Sequence, residues 1–100
     1  MKLVTVVPID NDEPSLKVLL KQTERRLRGK GTTLIRDREG RWIHAKYPGW
    51  IKWDLALGGI LVAEIKSKIP DAEWKLLRSF IGYLERHLGE YIDSITISYR

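Results

Sequence analysis

The run from Ile69 to Arg100 joins an amphipathic helix, a glycine and a half-buried strand without interruption. Apolar side chains at Trp74, Leu77, Ile81, Leu84 and Leu88 recur at spacings of three and four, which predicts one buried helical stripe. Pro70 and Asp71 suit the first turn, and Gly89 suits the left-handed position just past the helix end. Beyond it, Ser94, Ile95, Thr96, Ile97, Ser98 and Tyr99 alternate hydroxyls on one side with apolar groups on the other. A one-striped helix feeding a one-faced strand predicts a sheet covered by helices on a single face. The other face is then where function should be sought.

The rest of the chain fits that scheme. Leu3 to Ile9 is a nearly continuous apolar run, which predicts a central strand buried on both faces. Asn11, Asp12, Glu13, Pro14 and Ser15 open a helix, with acidic groups at its positive end. It runs to about Arg28 with Leu16, Leu19, Leu20, Thr23 and Leu27 facing inward, and Gly29-Lys30-Gly31 stops it. Four strand-like stretches follow, Thr32–Arg36, Arg41–Tyr47, Ile51–Leu55 and Ile60–Ser67, separated by Asp37-Arg38-Glu39-Gly40, Pro48-Gly49 and Gly58-Gly59. The order β-α-β-β-β-β-α-β predicts an α+β domain: an antiparallel-rich sheet of five to six strands with two helices on one face. It resembles a ferredoxin-like plait with an extra hairpin, a likeness of fold that carries no function.

Register follows from the turns. Placing Ile43, Ala45 and Tyr47 on the core face with Ile51, Trp53 and Leu55 requires a three-residue loop of Pro48, Gly49 and Trp50. Across Gly58-Gly59 the same logic aligns Leu55 with Leu61 and Trp53 with Ala63. On the opposite face His44 then faces Asp54, Lys46 faces Lys52, and Lys52 faces Glu64.

Composition narrows the function classes. With 43% hydrophobic and 31% charged residues in 100, the chain belongs with single globular domains rather than disordered segments. No apolar run approaches the roughly 20 residues that span a bilayer. The N-terminal apolar stretch is broken by Pro8 and followed by acidic residues, so it does not read as a signal peptide, and a cytoplasmic setting is expected. Cysteine is absent, which removes disulfides, thiolate metal sites and thiol catalysis. Two histidines without clustered carboxylates do not suggest a metal site, and no cofactor is expected. The net charge of +5 is compatible with phosphate backbones or acidic partners and selects neither.

Three constellations remain. The uncovered face is expected to carry Trp42, His44, Lys46, Lys52, Asp54, Ile60, Val62, Glu64 and Lys66, with Trp50 at its rim. Two tryptophans with Ile60 and Val62 make that face more apolar than solvation needs, and rigid rings beside charges suit a protein interface or self-association. Second, Lys17, Lys21, Arg25 and Arg28 form a cationic stripe on the first helix, extended by Arg26 and Lys30, that could follow phosphates. The same stripe also reads as a solvated face in which Glu24 pairs with Arg28. Third, His44 and Asp54 are the one candidate acid–base pair, without a companion nucleophile. Gly58-Gly59 and Gly29-Lys30-Gly31 lack the spacing of a nucleotide loop and read as turn glycines. The expectation is a small non-enzymatic binding domain acting through its open face, with nucleic-acid binding by the first helix as the alternative and a small His–Asp enzyme behind both.

Overall fold

A computed structural model describes residues 1–10, 14–30 and 33–100. The helix opening assigned to Asn11, Asp12 and Glu13, and the stop and strand start assigned to Gly31 and Thr32, lie outside the described residues. The elements are β1 (Lys2–Pro8), α1 (Leu16–Leu27), β2 (Leu34–Arg36), β3 (Trp42–His44), β4 (Trp50–Leu55), β5 (Leu61–Lys66), α2 (Pro70–Leu88) and β6 (Ile92–Tyr99). The six strands form one open sheet in the order β2-β3-β4-β5-β1-β6, and every neighbouring pair is antiparallel. The protein is thus an α+β domain. Among the described residues no helix is long and apolar enough to cross a membrane.

The hydrophobic alternation of the strands sets which side is covered. Val4 and Val6 of β1, Leu61, Ala63 and Ile65 of β5, Ile51 of β4 and Trp42 of β3 share one face and are buried. Leu16 and Leu20 of α1 and Leu76, Leu77, Phe80 and Leu84 of α2 close over them in the same cluster. Only that face of β1 is fully buried: Leu3, Thr5 and Val7 point the other way and remain half-buried, so the expected two-sided burial does not hold.

Each helix is set by local chemistry. Ser15 caps α1, its hydroxyl oxygen accepting from the Val18 N–H at 3.3 Å. Leu16, Leu20 and Thr23 are buried and Leu19 and Leu27 pack against the core, as the periodicity requires. Pro70 starts α2, and Asp71 pairs with Lys75 at 2.9 Å on its exposed side. The buried stripe of α2 differs from expectation at its first turn. Trp74 is 42% exposed, while Glu73 is buried beneath β1, where Lys2 donates to it at 2.9 Å. At the other end Gly89 is right-handed (φ −52°, ψ −37°) and begins a short 3-10 turn, Gly89–Tyr91, rather than a left-handed cap.

The β4–β5 register is Trp53 opposite Ala63, Leu55 opposite Leu61 and Lys52 opposite Glu64, joined by a 3-10 turn over Leu57–Gly59. The β3–β4 register is not the expected one. Ile51 faces Trp42 instead of Tyr47, an odd-numbered displacement that exchanges the two faces of β3. Trp42 and His44 therefore point toward the helices and Ile43 points away. The cause is the connection. Residues 45–49 form an irregular loop rather than a tight turn, and Tyr47 packs against the helical side. Gly49 (φ +125°) passes so close to β5 and α2 that a Cβ there would lie 2.3 Å from the Lys66 carbonyl oxygen.

Candidate interaction surface

Trp42 does not belong to the surface at all. It is 1% exposed, with edge-on contacts to Tyr83, Trp53 and Phe80 at ring-centroid distances of 5.0, 5.5 and 6.1 Å. Its indole N–H donates to Glu24 Oε2 at 3.0 Å. Glu24 also receives two hydrogen bonds from the Arg36 guanidinium, at 2.9 and 2.7 Å, so it is not the partner of Arg28. An indole with a charged acceptor at the layer boundary is a packing element.

His44 and Asp54 do not meet. His44 lies opposite Leu34 on the helical side, stacks on Tyr47 at 4.4 Å and accepts the Lys46 N–H at Nδ1. Partial burial, with Lys46 beside it, pushes its pKa below the ordinary value. Asp54 lies on the uncovered face opposite Val62 and binds Lys17 of α1 at 2.7 Å. That hydrogen bond, with the Leu55 N–H and the charge of Lys17, holds its carboxyl below the usual range. The expected pairs across β3 and β4 are absent: the shifted register turns His44 to the helical side, away from Asp54, and Lys46 belongs to the loop rather than facing Lys52.

What remains on the uncovered face is a real surface with a different centre. Trp50, Lys52 and Asp54 of β4 and Val62, Glu64 and Lys66 of β5 occupy it in register, and Ile60 leads into it as a half-buried residue. Three residues join them that were not expected on this face: Leu3, Ile35 and Ile43. Ile35 faces Ile43 directly, and Ile35 is 51% exposed. Ile43 follows Trp42 in β3 and so shares its face with Trp50. The Arg41 guanidinium lies 5.3 Å from the Trp50 ring centroid and pairs with Asp37 at 3.3 Å. An apolar corner of Ile35, Ile43 and Trp50 thus stands beside Lys66, which lies opposite Trp50, and beside Arg41, whose guanidinium is already paired with both Asp37 and Glu39. The signal for this corner was the neighbouring pair Trp42-Ile43, in which either residue could have been the inward one.

The cationic stripe of α1 is partly engaged. Lys17 is bound to Asp54, whereas Lys21, Arg25 and Arg28 are exposed. Where α1 ends, Lys30 joins Arg78, Arg86 and His87 of α2 around a groove of about 370 Å³ floored by Gly82 and Tyr83. Burial, reinforced by Arg26 and Arg86, lowers the pKa of His87. Comparison with protein families, with curated proteins and with solved structures finds no match to this chain.

Proposed function

We propose that this chain is a non-enzymatic binding domain whose uncovered sheet face docks a protein partner. The observation that carries the reading is the apolar corner of Ile35, Ile43 and Trp50, which lies on the face opposite both helices, with the exposed cation Lys66 alongside. Such a corner suits an apolar ridge flanked by carboxylates: rigid rings supply contact area, and flanking charges orient the approach. Val62 and Lys52 extend the surface toward the sheet centre, while the neighbouring Asp54 carboxylate is taken by Lys17 of α1. The test compares partner recovery by the wild type with that by Ile43→Asp and Trp50→Ala, each checked for a cooperative melt. Loss of about 2 kcal/mol of affinity on Trp50→Ala supports the reading. Unchanged recovery by both folded variants sinks it.

A second reading is favoured by the charge of the helical side, where Lys21, Arg25 and Arg28 continue into the groove of Lys30, Arg78 and Arg86. A nucleic-acid backbone lying along that path would bind without reading sequence. Affinity for generic DNA or RNA would fall steeply with salt, and Lys21→Glu with Arg25→Glu would remove it. Salt-independent binding, or none, discards this reading. For the fold, we read the domain as a plait to which β2 and β3 add a hairpin. The adjacency of β4, β5, β1 and β6, with a helix in each crossover, supports it.

A further inference from the structure

The two edges of the sheet are protected very differently. β2 has only three residues and ends in Arg36, followed by the charged Asp37-Arg38-Glu39. Short strands and charges of this kind block edge-to-edge pairing. β6 has eight residues, Ile92–Tyr99, and among the described residues no strand lies beyond it. From Ser94 to Tyr99 it contains no proline, no charge and no bulge. A long, regular, uncharged edge is a template for another strand.

The hydrogen bonds tell which groups that edge offers. Arg100 N–H donates to the Met1 oxygen at 2.9 Å, and Met1 N donates to the Arg100 oxygen at 3.1 Å. That makes Met1–Arg100 a hydrogen-bonded pair. By the alternation of an antiparallel ladder, Ser98, Thr96 and Ser94 also turn their amides toward β1. Ile95, Ile97 and Tyr99 therefore present their N–H and C=O groups to the free edge. On the helical side of the same strand Ile97 is 36% and Tyr99 69% exposed, so apolar side chains accompany the open amides.

The sequence of the edge says what fits it. Ser94-Ile95-Thr96-Ile97-Ser98 reads the same in both directions. We propose that β6 pairs with β6 of a second copy, antiparallel about a two-fold axis at Thr96, which makes one continuous sheet from two domains. In that register Ile95 faces Ile97 of the partner copy, Ser94 faces Ser98, and Thr96 faces itself. Both faces match, and about four backbone hydrogen bonds form from the outward amides of the isoleucines. The proposal concerns the strand edge and does not rest on the docking role of the uncovered face.

The experiment uses the absence of cysteine in the chain. Thr96→Cys places two thiols across the axis in a non-hydrogen-bonded pair, with Cα atoms about 4.5 Å apart, within disulfide reach. Ser94→Cys places them four residues apart along the strands, out of reach. On mild oxidation Thr96→Cys should cross-link at least about tenfold faster than Ser94→Cys. In parallel, sedimentation should give a dimer for the wild type and a monomer for Ile97→Pro. That proline removes an outward amide that β1 does not use, so the β1–β6 ladder keeps its hydrogen bonds. A monomeric wild type at high micromolar concentration, equal cross-linking rates, or a dimer that persists in folded Ile97→Pro each overturns the proposal. If Ile97→Pro does not fold, the two cysteine variants decide alone.

Discussion

Glu24 on α1 accepts the indole N–H of Trp42 at 3.0 Å and binds Arg36 with the same carboxylate, so one side chain ties the first helix to both β2 and β3. The β2–β3 hairpin lies at the margin of the sheet and is otherwise held by the burial of Leu34 and by the packing of the Trp42 ring against Trp53, Phe80 and Tyr83. Glu24→Ala leaves a buried indole N–H without its acceptor and frees a guanidinium. We expect a loss of about 2 kcal/mol, read as a lower urea midpoint at unchanged slope. Glu24→Gln, which keeps an acceptor but loses the charge, should fall between the two.

Two glycines should respond in opposite directions to the same substitution. Gly49 has a positive φ, and a Cβ there would meet the Lys66 carbonyl oxygen at 2.3 Å and Leu76 Cδ1 at 2.7 Å. Backbone and core would both have to move, so Gly49→Ala is expected to cost about 3 kcal/mol. Gly82 lies inside α2, where an added methyl group would meet nothing within 4 Å, so Gly82→Ala should gain about 0.5–1 kcal/mol through helix propensity. Chemical denaturation of both variants checks the pair.

The contrast between β4–β5 and β3–β4 shows what local pattern can specify. Gly58-Gly59 closes a connection so short that only one register brings Trp53 onto Ala63 and Leu55 onto Leu61. Between β3 and β4 the connection is longer, and the adjacent Trp42 and Ile43 are both apolar, so alternation alone could not choose which turns inward. The deciding contacts are distant in sequence: Glu24 at the indole N–H, and Phe80 and Tyr83 at the ring. That one choice moved Trp42 and His44 out of the candidate surface and brought Ile35 and Ile43 into it. The first turn of α2 departs from its periodicity for the same reason. A glutamate at position 73 is a poor core candidate until Lys2, far away in the chain, is seen to meet it.

Tyr83 carries a second, alkaline consequence of the aromatic cluster. Burial, with the charge of Glu24 nearby, pushes its phenol from the ordinary 10.0 up to about 12. The folded state therefore favours the protonated ring. As the pH rises through about 10 the unfolded chain releases this proton first, and stability falls until the folded phenol also ionises near 12. Tyr83→Phe should flatten this decline, measured as urea midpoints at several alkaline pH values.

Glu73 governs the acid side. Burial acts to raise its pKa, but the hydrogen bonds from Lys2 at 2.9 Å and from the Ser67 N–H at 3.3 Å outweigh it and leave the carboxyl below its ordinary 4.5. A carboxyl depressed in the folded state contributes its stability wherever the unfolded carboxyl is also ionised, which is above that value. As the pH falls below it the unfolded chain takes up a proton before the folded one does, and the contribution is lost on approach to the folded pKa. Glu73→Gln should therefore be least stable relative to wild type at neutral pH and converge with it in acid. Leaving Lys2 without its buried partner should cost about 3 kcal/mol at pH 7. Parallel acid titrations followed by far-UV circular dichroism check this, and two curves that stay a constant distance apart from pH 7 to pH 3 would show that Glu73 does not carry the acid limb.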